Sequence, residues 1–112
     1  PEALRLLRAA LEGGEEPTKV FYLLAAEVRA LLRVKSLASE GLSGAQIAQR
    51  TGDFPWRAAK RRKLAEGLHF EELIELIHRL HEEDVAIKRG EREPEEALWT
   101  LALAWLNRQF QS

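Results

Sequence analysis

The chain has 112 residues, 46% of them hydrophobic and 31% charged, with a formal net charge of −1, the profile of one ordinary globular domain with enough mass for a real core. Without cysteine there is no disulfide framework, thiolate nucleophile or cysteine zinc site, and no run approaches the roughly 20 apolar residues that span a bilayer. No basic-then-apolar leader is present. The balanced charge lowers the expectation of a free-standing nucleic-acid binder, although a local basic patch would still serve.

These features fit a cytoplasmic protein. The opening on Pro1, directly in a helical pattern, reads as a piece of a longer chain. Arg outnumbers Lys, which is compatible with a thermophile or a GC-rich genome.

Leu4, Leu7 and Leu11, widened by Ala3 and Ala10, predict a first helix that stops at Gly13-Gly14. Glu15, Glu16 and Pro17 suit the start of a second, so the two are expected to form an antiparallel hairpin. The second helix is predicted from about Thr18 to Ser39. Its inner stripe is Phe21, Leu24, Val28 and Leu31, widened by Val20, Leu23 and Leu32. Lys35 falls beside that stripe and reads as a lysine snorkelling at the core edge.

Gly41 closes the second helix, and LSGAQIAQRTGDFPWRAAKRRKL follows from Leu42 to Leu64. This predicts two short helices around a tight turn. Ser43 caps the first, Ile47 and Ala48 lie at its centre, Gly52 makes a left-handed turn and Pro55 occupies the first turn of the next. That next helix carries Arg57, Lys60, Arg61, Arg62 and Lys63, spread around the cylinder, with Ala59 and Leu64 expected inside. The pattern is a helix-turn-helix with a basic second helix. Arg57, Lys60, Arg61 and Lys63 are its candidate nucleic-acid contacts, weighed against a merely solvated face.

Gly67-Leu68-His69 breaks the pattern. His69 is placed as a cap for a fifth helix, with Glu71 and Glu72 in its first turn. Phe70, Leu73, Ile74, Ile77, Leu80, Asp84 and Ile87 are expected on one face. Asp84 interrupts that apolar face and calls for a cationic partner, Lys88 four residues on or Lys35. Gly90 stops the helix and Pro94 begins the last, which is apolar nearly all round. Leu98, Leu101, Ala102 and Trp105 form the expected inward stripe. Trp99, Leu103, Leu106 and Phe110 form a second stripe and are the candidate subunit interface. No strand alternation occurs. The expected fold is all-α, a bundle of about six helices with short connections.

Catalytic signals are missing. There is no phosphate-binding Gly-Lys-Ser/Thr loop and no nucleophile elbow. His78 and His81 beside Glu82 and Glu83 specify no further metal ligand and read as a polar edge. No catalytic residue, cofactor or metal site is therefore expected.

The order of these signals resembles the C-terminal domain of the bacterial DNA polymerase III delta subunit, a clamp-loader component. The features that carry it are Gly14-Glu15-Glu16-Pro17 after a leucine-rich helix, then Arg29, Leu31, Leu32 and Val34-Lys35. Gln46-Ile47-Ala48, Pro55 and Ala59-Lys60 follow, then Asp84, Ile87-Lys88 and Gly90 before a final apolar helix. His69 departs from the small hydroxyl or acidic cap common in that family.

The resemblance implies that residues 1–112 form a single helical collar (oligomerisation) domain, the C-terminal fragment of a longer chain. It implies a non-catalytic assembly module, part of a DNA-directed DNA polymerase holoenzyme. The module would pack with the motor subunits and delta prime in a pentameric collar, meeting the sliding clamp and DNA only through the parent complex, with no membrane partner. The alternatives are a helix-turn-helix DNA-binding domain using helix 55–64, and a regulatory helical domain of another ATPase.

Overall fold

A computed structural model describes residues 8, 12–14 and 16–111, the stretch 105–111 by its backbone alone. Among the described residues the chain is all-helical. Five helices follow in order: α1 (Pro17–Ser39), α2 (Gly44–Thr51), α3 (Pro55–Glu66), α4 (Phe70–Lys88) and α5 (Pro94–Gln111). The helix expected around Leu4–Leu11 lies outside the described residues. None of the described helices is long and apolar enough to cross a membrane.

The helix ends follow from local chemistry. α1 closes in a Schellman motif. Gly41 takes φ 92°, its N–H donates to the Ala38 carbonyl at 3.0 Å, and the Leu42 N–H donates to the Leu37 carbonyl at 3.3 Å. α2 begins in a capping box. The Ser43 hydroxyl accepts from the Gln46 N–H at 3.3 Å, and the Gln46 side chain accepts from the Ser43 N–H at 2.8 Å. It ends at Gly52, whose φ of 75° makes the left-handed turn into α3. Pro55 then sits in the first turn of α3. Before α4 and α5, Glu72 and Glu96 each reach back to a backbone N–H, of His69 and of Glu93, both at 3.3 Å. His69 stands immediately before α4 and serves through its backbone, its carbonyl accepting from the Glu72 and Leu73 N–H groups at 3.1 and 3.2 Å, while its ring is exposed.

The chain packs as two compact units. One comprises residues 26–77 and the other residues 1–25 with 78–112. In the 26–77 unit Val34, Ile47, Ala48 and Ala58 form a buried cluster with Leu37, Ala38 and Leu42 against it. Ala65 and Leu73 are also buried in this unit. In the other unit Phe21, Ala25, Leu80, Ala97, Leu98 and Leu101 are buried.

Four positions correct the sequence expectation. The inner residues of α3 are Ala58 and Ala65, each 1% exposed, while Ala59 and Leu64 are exposed. Ala58 and Ala65 are seven residues apart and so share a face after two turns. At about 100° per residue the buried face lies on the side of the helix opposite the midpoint of Ala59 and Leu64. Leu23 and Ile74, placed in apolar stripes by spacing, are exposed. A Cβ at Gly44 would meet Ala59 of α3 at 3.9 Å, an ordinary contact, so the fit of α2 on α3 does not depend on this glycine.

Candidate functional site

The start of α3 carries the most distinctive surface of the 26–77 unit. Phe54 and Trp56 are 61% and 62% exposed. Their rings lie 6.4 Å apart and nearly parallel, at 13°. The Arg57 guanidinium sits 5.7 Å from the Phe54 ring centre and 5.2 Å from that of Trp56, within cation–π range.

An ionic clamp lies beneath these rings. Asp53 Oδ1 accepts from the Phe54 N–H at 3.2 Å and from Arg57 Nη1 at 3.4 Å. Asp53 Oδ2 accepts from Arg61 Nη1. Arg61 turns its other two nitrogens to Glu27 of α1, Nε to Oε1 at 3.0 Å and Nη2 to Oε2 at 2.9 Å, a bidentate pair. The Glu27 hydrogen bond and the two carboxylate charges hold the Arg61 pKa above its ordinary value, against the opposing effect of burial.

The four cations singled out in the sequence are thus not equivalent. Arg61 is committed to Glu27 and Asp53, and Arg57 to Asp53 and the rings. Lys60 and Lys63 are exposed on the same helix. Arg62 pairs with Glu66 at 3.3 Å.

Lys35 donates to the Ala65 carbonyl at 2.9 Å and lies 5.3 Å from the Phe70 ring centre. It closes the C-terminal end of α3, where a cation is favoured. Asp84 accepts from Lys88 Nζ at 3.1 Å and from the Tyr22 hydroxyl at 2.7 Å. The Tyr22 and Lys88 hydrogen bonds hold the Asp84 pKa below the usual carboxylate range, while Asp84 raises that of Tyr22 and of Lys88. The more buried acid of α4 is its neighbour Glu83, 8% exposed, whose Oε2 lies 2.7 Å from Arg92 Nε in the loop before α5. His78, His81 and Glu82 are not drawn together, and no group of three or more metal-type side chains gathers among the described residues.

On α5, Ala97, Leu98 and Leu101 are buried, Trp99 is half-buried and Leu103 is 63% exposed. Leu103 therefore stands outward, while Trp99 of the same stripe is partly covered. The side chains of Trp105, Leu106 and Phe110 lie outside the described residues.

Residues 1–105 match the family model for the DNA polymerase III delta subunit, C-terminal domain. The chain belongs to that family. In three dimensions this delta C-terminal domain is similar to the Bacillus subtilis DNA clamp loader delta protein (YqeN), with a TM-score of 0.86 and 28% sequence identity. The superposition covers 95% of this chain and 31% of the Bacillus protein, so the chain spans about a third of that relative's length. Comparison with curated proteins gives no match.

Sequence reasoning locates the basic helix and misses the ring pair in front of it. In Phe54-Pro55-Trp56 only the proline carries a pattern signal for a helix start. The further signal is two large aromatics bracketing a helix N-terminus, where the first-turn side chains have no preceding turn to pack on. Glu27 has no local signal, lying 34 residues from Arg61.

Proposed function

We propose that the chain is the assembly module of a clamp-loader delta subunit, acting in the cytoplasm in bacterial DNA replication. It packs with the motor subunits and delta prime in a pentameric collar, so that the sliding clamp is loaded on DNA. The observation that carries the reading is the family match over residues 1–105, supported by the Bacillus likeness. The module contributes binding and no catalysis of its own, and polymerisation belongs to another subunit of the holoenzyme.

The second apolar stripe of α5, Trp99, Leu103, Leu106 and Phe110, is the proposed contact with a neighbouring subunit. Apolar anchors of this kind typically cost about 2 kcal/mol or more when truncated at an interface. Trp99→Ala with Phe110→Ala is expected to weaken co-elution of the full delta chain with its partners and to leave the melt of the domain largely unchanged. Normal assembly with an unfolded domain would place the stripe in the core.

A second reading is favoured by one observation, the exposed Phe54–Trp56 pair with Arg57 across it. Aromatic faces beside cations suit the stacking of unpaired bases, with Lys60 and Lys63 near the phosphates. In this reading α3 touches single-stranded nucleic acid while the domain holds its place in the assembly. The chain is then expected to bind an unpaired strand more tightly than the same sequence as duplex, with strong salt dependence. Sequence-specific duplex binding lost on changing Arg57 and Lys60 to alanine would favour the helix-turn-helix alternative.

A further inference from the structure

Phe54 and Trp56 are large and exposed, and their rings lie nearly parallel. Exposed aromatic side chains have little packing to fix their rotamers. Here charged groups supply the contacts that could fix them. Arg57 lies across both rings, and Arg57 is tied to Asp53. Asp53 also accepts the Phe54 N–H, which fixes the backbone where the rings emerge. The same carboxylate receives Arg61, and Glu27 holds Arg61 from behind with two hydrogen bonds. Asp53 is thus where the turn, Arg57 and the clamp from α1 converge, and its side chain is only 15% exposed.

We propose that Asp53 is a positioning residue, which with Arg61 and Glu27 behind it aims the Phe54–Trp56 pair and Arg57 at the bases of a single strand. The inference rests on the stacking reading above. It makes a prediction opposite in sign to simple electrostatics. An anion beside a phosphate-bearing ligand is repulsive, and removing its charge releases Arg57 while Arg61 keeps Glu27. Charge alone therefore requires Asp53→Asn to bind a strand more tightly. Positioning requires it to bind more weakly, because the rings and Arg57 lose their common anchor.

The experiment titrates the full chain, Asp53→Asn and Trp56→Ala with a fluorescent oligo(dT) strand at several salt concentrations. Trp56→Ala is expected to lose about five- to 150-fold in affinity, the usual worth of one stacked base. Asp53→Asn is expected to weaken binding toward that loss while the slope of log affinity against log salt stays the same, since every cation remains. Tighter or unchanged binding by Asp53→Asn, beside a loss in Trp56→Ala, overturns the positioning role and leaves stacking intact. No binding by the wild type, or no loss in Trp56→Ala, sinks the stacking reading and the positioning role with it.

A ligand-free measurement tests the positioning role independently. Nuclear Overhauser contacts between the Phe54 and Trp56 rings are expected in the wild type and lost in Asp53→Asn. Where Asp53→Asn lowers the melt, Glu27→Gln serves as the second variant, since it leaves the turn's own hydrogen bonds in place. It is expected to weaken the ring contacts and binding to a smaller extent. Ring contacts that persist in both variants overturn the proposal whatever the binding data show.

Discussion

The helices α3 and α5 solve opposite packing problems. α5 puts its large residues inward, with Leu98 and Leu101 buried beside Ala97. α3 puts its small residues inward, Ala58 and Ala65, and carries Trp56 and Leu64 outside. An inner face of alanines lets backbones approach closely but buries little area, so hydrophobic burial alone holds α3 weakly. Its attachment is supplemented by polar devices at every stage: the Asp53–Arg61–Glu27 clamp, the Lys35 bond to its last turn, and the capped α2 packed beside it. A helix whose large side chains are not needed for folding is free to offer them to a ligand. A helix built like α5 has only its second stripe to offer.

The comparison breaks most sharply at Leu98. Leu98→Ala deletes a side chain with no exposed surface and is expected to cost about 2–5 kcal/mol in a chemical melt. A loss below about 1 kcal/mol would mean that α5 does not depend on its large residues. The reciprocal change, Ala58→Leu, forces volume into the tight face of α3 and is expected to cost about 1–3 kcal/mol. A neutral result there would show that the alanine face is loosely packed. Ser43→Ala removes one half of the α2 capping box and is expected to cost about 1 kcal/mol.

The smallest effect is expected from the surface cluster of the other unit, Tyr22, Asp84 and Lys88. The folded pKa of Asp84 is held below its unfolded value, so its contribution is present above about pH 4 and fades as pH falls through the folded value. Those of Tyr22 and Lys88 are raised, so their contribution is complete below about pH 10 and fades as pH rises further. Melting temperatures of wild type and Asp84→Asn should therefore differ at neutral pH and converge as the medium is made strongly acidic. A constant difference across that range would assign the effect to packing rather than charge.

What is legible in the sequence is local. Ser43, Gly52, Pro55 and Gly90 mark helix ends because capping and turn geometry are decided within four or five residues. The inner face of α3 is misplaced by spacing because the helix carries apolar residues on both sides, Ala58 and Ala65 on one and Ala59 and Leu64 on the other, and alanines weigh too little in a periodic pattern to choose between them. Leu23 and Ile74 lie at stripe margins, where spacing alone does not distinguish core from surface. The polar contacts divide the same way. Asp84 with Lys88 is an i,i+4 pair and can be anticipated, whereas Arg61 with Glu27 and Lys35 with Ala65 join elements 34 and 30 residues apart. The pairing of Glu83 is not anticipated because its partner Arg92 lies in the loop beyond the helix.

Gly44 offers a route to a hardier domain. It is the first residue of α2, its φ is not positive, and an added methyl would meet Ala59 at 3.9 Å, an ordinary van der Waals distance. The glycine therefore widens the choices of the denatured chain without being required by the native one. Gly44→Ala should restrict that denatured ensemble and raise the melting temperature, by a free energy of a few tenths up to about 1 kcal/mol. The gain would leave the rings of Phe54 and Trp56 untouched, so a more heat-resistant protein could be made without giving up any of its exposed chemistry.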